Sequence, residues 1–87
     1  MDKQKYELFL RKTNHTEKSI QSRIVRLKKI ENIFCIDIDS IIYDKSKVIE
    51  ILSDLKKLNV DTVNQNLSNA IYKYYECCNG NALKEDI

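Results

Sequence analysis

Apolar residues recur at helical intervals in four stretches of the chain. Tyr6, Phe9 and Leu10 fall on one side of a helix from about Lys3 to Lys12. The run Thr13, Asn14, His15 breaks it. Thr16 can then cap a second helix, because its hydroxyl accepts from first-turn amides, and Glu17 suits the positive end of the helix dipole. Ile20, Ile24, Leu27 and Phe34 line one stripe, with Ile30 at its border, which predicts the longest helix, from Thr16 to Phe34. Glu31 falls inside that stripe and Val25 outside it, so either the last turn bends or a further helix covers Val25.

Between Cys35 and Tyr43 the pattern changes to alternation, Ile36, Asp37, Ile38, Asp39, which favours an extended connector or a single tight turn over a regular helix. A third helix follows from about Ser46 to Leu58, with Val48, Ile51, Leu52 and Leu55 inward and Ser46 or Asp44 as its cap. Asn59 to Asp61 break it. The fourth helix runs from about Thr62 to Cys78 and carries Val63, Leu67, Ala70, Ile71, Tyr74 and Cys78 on one side. Gly80 can adopt the left-handed conformation that closes it, and the tail 81–87 is expected to fray. The predicted core collects Phe9, Ile20, Ile24, Leu27, Leu52, Leu55, Leu67, Ala70 and Tyr74.

Composition strengthens this reading. One Gly and no Pro leave almost nothing to build the turns of a small all-β domain, so the fold class is all-α, a compact bundle of four to five short helices. At 87 residues there is room for one core, so residues 1–87 are expected to form a single domain. With 43% apolar and 32% charged residues the chain should fold without a membrane, and its longest apolar run, Ile33 to Ile36, is far too short to span one. The basic start lacks an apolar segment behind it, and three cysteines cannot all pair within the chain, so the expected compartment is the cytoplasm.

Charge is distributed unevenly. Residues 1–34 hold nine Lys/Arg against four Asp/Glu, whereas residues 35–87 hold six against nine. On the second helix Lys18, Ser22, Arg26 and Lys29 face away from the apolar stripe and give a basic face, suited to a phosphate backbone or to an acidic protein. On the fourth, Gln65, Ser68, Asn69 and Tyr72 project outward as a strip of amides and hydroxyls. Such amides offer a donor and an acceptor together, which matches the edge of adenine in the major groove.

Catalytic chemistry is sparse. His15 is a lone histidine in an exposed loop, and Cys77 and Cys78 are adjacent, whereas zinc sites want about four ligands. Cys78 therefore reads as a small core residue with Cys77 at its edge, and Cys35 as a buried apolar filler. A single Gly excludes a glycine-rich phosphate loop or a nucleophile elbow. These features point to a binding module without cofactor or metal rather than an enzyme.

The stretch YELFLRKTNHTEKSIQSRIVRLKKIENIF resembles the opening of the SAM-like core-binding domain found at the N-terminus of tyrosine recombinases and phage integrases, with Thr16 and Ser19 in the places of its cap and of the Thr or Ser that follows. DTVNQNLSNAIYKYYECCNG is similar to that family's last core-binding helix, through Thr62, Asn64, Leu67, Ser68, Lys73, Tyr74 and Tyr75. The resemblance covers about residues 4–80, and the family's catalytic domain is absent from these 87 residues, so the chain is expected to be either a fragment of a recombinase or a small free-standing protein with that fold. It implies a helical clamp on duplex DNA. Candidate contacts are Thr16, Lys18, Ser19 and Arg23 on the second helix and Thr62, Asn64, Gln65, Ser68 and Lys73 on the fourth. Arg26, Lys29 and Asn69 join them from the basic face and the amide strip. The expected partner is double-stranded DNA, with a catalytic recombinase domain or another protein as a second candidate. The alternative is a phage or mobile-element regulator that binds another protein, for which Tyr72 is the exposed anchor.

Overall fold

A computed structural model of the chain describes residues 1–58 and 66–83. Four α-helices, α1 (Lys3–Lys12), α2 (Glu17–Phe34), α3 (Lys45–Leu58) and α4 (Asn66–Asn79), make an all-α fold, with a 3-10 turn at Ile38–Ser40 and no strand among the described residues. α4 packs most extensively on α2 and also touches α1 and α3, so it is the central element. The Cα radius of gyration is 12.2 Å, close to the value of about 12 Å for a compact chain of this length.

Each boundary has a local cause. Asp2 caps α1 by accepting from the Lys5 amide, and Thr16 caps α2 by accepting from the Ser19 amide at 3.2 Å. Asp44, rather than Ser46, caps α3, accepting from the amides of Ser46 and Lys47, and the helix starts one residue earlier than the periodicity suggests. The expected start of α4 at Thr62 lies outside the described residues; its end comes at Asn79.

Among the described residues, α1, α2 and α4 each stop on a residue in the left-handed region. Gly80 has φ 77° and donates its amide to the Glu76 carbonyl, as anticipated. Asn14, at φ 66°, ends α1 in a Schellman arrangement, in which the His15 amide reaches the Leu10 carbonyl and the Asn14 amide the Arg11 carbonyl. At the end of α2, Cys35 takes φ 53° and the Ile36 amide donates back to the Glu31 carbonyl. Cys35 is therefore exposed and serves as a turn, not as a buried filler.

Among the described residues the core is one cluster. Ile20, Ile24, Leu27 and Ile30 of α2, Val48, Leu52 and Leu55 of α3, and Leu67, Ala70, Ile71 and Tyr74 of α4 are all buried in it with Tyr6 and Leu10. Phe9, expected inside, is half-buried and lies outside the cluster, because Tyr6 and Leu10 take the inward side of α1. The connector contributes Ile38, Ile41 and Ile42, which the 3-10 turn swings inward. Val25 is exposed and no described helix covers it. Cys77 and Cys78 are half-buried against the cluster, as is Leu83, which ties down the start of the tail.

Glu31 also finds its reason here. Its carboxylate accepts from the Ile38 amide at 2.9 Å and so caps the 3-10 turn. The Met1 ammonium sits among Glu31, Asp37 and Asp39 at 3.9, 3.6 and 3.0 Å. The Asp2 amide donates to the Tyr74 hydroxyl at 2.7 Å, and that hydroxyl donates to Asp39. Burial alone pulls the ammonium pKa down, but the hydrogen bond and attraction from Asp39, with Glu31 and Asp37 adding to it, leave it raised. Asp39 shows the converse: burial pushes its carboxyl up, and the Tyr74 hydroxyl and the ammonium hold it lower than usual.

Candidate nucleic-acid interface

The buried stripe of α2 determines what the rest of the helix presents. With Ile20, Ile24, Leu27 and Ile30 turned inward, Lys18 and Lys29 are exposed on the opposite side, and Ser22 and Arg26 lie half-exposed between them. Among the described residues none of Lys18, Arg26 and Lys29 has a carboxylate within 4.0 Å. Arg11 is the contrast, held by Glu17 at 2.8 Å and Glu7 at 3.9 Å. At 1.5 Å per residue the row from Lys18 to Lys29 extends about 16 Å, a length over which one strand of a duplex carries about five phosphates.

Arg23 stands apart from this row. It is half-buried, with Nε and Nη1 shielded from solvent and without a hydrogen-bond partner. Its guanidinium lies beside the Tyr6 hydroxyl, which donates to the Ala70 carbonyl at 3.0 Å, so Arg23 does not stand free on the surface. The Tyr6 ring packs edge-on against Tyr74, with centroids 5.1 Å apart. Burial drives the Tyr6 pKa well up, and the Arg23 charge works against that rise. Sequence periodicity places Tyr6 on the inward side but carries no sign that it adjoins this arginine.

On α4 the expected strip is only partly outward. Ser68 is 4% exposed and engaged within the fold, a correction to its role as a contact. The inward face of α4 is wide because α2 and α3 both pack on it, and Ser68 falls within that width between Leu67 and Ile71. Asn69 is exposed and makes an interaction of its own. Tyr72 is half-buried, packed against the core and engaged, which removes it as an exposed anchor. Lys73 pairs with Glu76 at 3.6 Å. Thr62, Asn64 and Gln65 lie outside the described residues. On α2 the Thr16 hydroxyl is used by its cap, and Ser19 is half-buried with its amide on Thr16.

His15 is half-buried rather than free in a loop: its Nδ1 lies 2.9 Å from the Thr13 hydroxyl and 3.2 Å from the Leu10 carbonyl. Desolvation pushes the Cys77 thiol up to about 11, an inert rather than nucleophilic group. Among the described residues no group of three or more His, Cys, Asp or Glu could hold a metal ion, and no helix is long and apolar enough to cross a membrane. No family model, no curated protein and no solved structure matches the chain.

Proposed function

We propose that this chain is a non-catalytic module that grips duplex DNA, in the manner of the SAM-like core-binding domains its sequence resembles. The observation that carries the reading is the row Lys18, Arg26 and Lys29, exposed or half-exposed along one side of α2 and lacking carboxylate partners among the described residues. The opposite side of the same helix is locked into the core. Cations held at fixed spacing on a rigid helix suit phosphates, which they neutralise without reading sequence. Asn69, an exposed residue of the helix that packs on α2, is the candidate for added base preference. Arg23 is set apart from this surface: its guanidinium lies beside the Tyr6 hydroxyl, with Nε and Nη1 shielded from solvent.

The test is a titration of labelled duplex at two salt concentrations. Lys18→Glu and Lys29→Glu should weaken binding to every duplex about equally and lower the salt slope by about one unit for each phosphate that is no longer neutralised. Asn69→Ala should leave nonspecific affinity nearly intact and relax preference at one base pair by about 1 to 3 kcal/mol. Absence of salt-dependent binding by the wild type at about 100 µM, the weak end of nonspecific binding, would overturn the reading.

A further inference from the structure

We propose that a groove beside α1 receives an acidic amphipathic helix from another protein. This surface is separate from the α2 row. Lys5, Leu8, Phe9 and Lys12 of α1, with Cys77 of α4, line a shallow groove of about 300 Å³. Leu8 is 56% exposed, and Phe9, although half-buried, stays outside the core cluster. The fold therefore leaves two adjacent large apolar side chains of one helix without core partners. Cys77 is fixed beneath them, its thiol donating to the Lys5 carbonyl at 3.6 Å.

Charge selects the occupant. Lys5 and Lys12 stand seven positions apart, two helical turns or about 10 Å, and bracket the apolar pair. Neither has a carboxylate within 4.0 Å among the described residues. On the other side of Leu8 the dip lined by Gln4, Glu7 and Arg11 is neutralised internally, since Arg11 is held by Glu7 and Glu17. A helix laid along the groove would thus meet a cation, an apolar centre and a second cation in turn. The complementary pattern is an acid at one position, aliphatic residues three and four further on, and an acid at the seventh.

Other occupants fit less well. Phosphates would engage the lysines but would leave Leu8 and Phe9 without a dry contact. A second copy packed isologously would set lysines of one α1 against lysines of the other. A lipid surface is flat, whereas this site is concave, with Cys77 of a second helix in its lining.

The probe is a helix-stabilised peptide of about 18 residues, with Leu at two central positions between Glu residues seven apart, titrated into the isotope-labelled full chain. A second peptide carries Gln in place of the Glu residues, and a third carries Lys. The wild type should bind the Glu peptide about tenfold more tightly than the Gln peptide, with resonances of Leu8, Phe9 and Cys77 shifting. The double variant Lys5→Glu, Lys12→Glu should reverse the order and prefer the Lys peptide. Leu8→Ser, at an exposed position, should keep the fold and weaken all three.

Four results would overturn the proposal. One is no shift at those residues with Glu peptide up to about 1 mM. Another is a concentration-dependent dimer abolished by Leu8→Ser. A third is tighter binding to phosphatidylcholine–phosphatidylserine vesicles than to the peptide. The last is a loss of duplex binding in the Lys5, Lys12 double variant as large as that in the α2 variants, which would assign these lysines to nucleic acid.

Discussion

The junction around Met1 and the exposed side of α2 treat charge in opposite ways. At the junction, one ammonium meets three carboxylates, and Tyr74 relays between the Asp2 amide and Asp39. On α2, Lys18, Arg26 and Lys29 have no carboxylate within reach among the described residues. Charge that is paired internally fixes the positions of elements, here the N-terminus, the 3-10 turn and α4. Charge left unpaired adds little to the fold and remains available to a ligand. Stability and binding should therefore respond to different substitutions.

The largest effect should come from the core on which both regions stand. Leu67→Ala, at a residue 5% exposed, should cost about 2 to 5 kcal/mol in urea unfolding; a loss below about 1 kcal/mol would mean that α4 does not pack as described. Tyr74→Phe keeps the ring against Tyr6 but removes the relay, leaving the Asp2 amide and Asp39 without that partner. It should cost about 1 to 3 kcal/mol, and wild-type stability in this variant would break the comparison at its paired end.

The junction should also impose a pH profile. The ammonium pKa is raised from 8.0, so its contribution is complete below about pH 8 and is lost as pH rises through the folded-state value. The Asp39 pKa is lowered from 3.8, so its contribution is present above that pH and is lost as pH falls through the folded-state value. The stability difference between wild type and Asp39→Asn should accordingly be greatest between about pH 5 and 7 and shrink on both sides. A difference independent of pH would remove the ion pairs from the account.

Two smaller effects sharpen the contrast. Cys35→Gly should stabilise by about 0.5 to 1 kcal/mol, because the left-handed turn after α2 costs an L-residue more than glycine; urea midpoints of the two proteins would show it. Lys29→Ala should change stability by less than about 0.5 kcal/mol, and a larger loss would mean that this lysine is tied into the fold after all.

Features that depend on residues a few positions apart were legible from the sequence. The span of α1, the Thr16 cap and Gly80 follow from spacing and side-chain type. What escaped depends on distant partners. Glu31 looks like an error in an apolar stripe until the 3-10 turn brings the Ile38 amide to it. Ser68 looks outward on a helix considered singly, but α4 is packed from more than one side. Periodicity puts Tyr6 and Phe9 on the same side of α1 without saying which goes deeper; the Ala70 carbonyl, which takes the Tyr6 hydroxyl, draws Tyr6 in. At the candidate interface, the basic row was legible and the withdrawal of Arg23 to the side of Tyr6 was not.

The hydrogen bond from Asp2 to Tyr74 joins residues 72 positions apart, and Tyr6 reaches Ala70 across 64. Local helices can form early, yet these closures need both ends of the same stretch at once. During synthesis Asp2 and Tyr6 emerge well before α4 and must wait for it, so these contacts close only after α4 has been made.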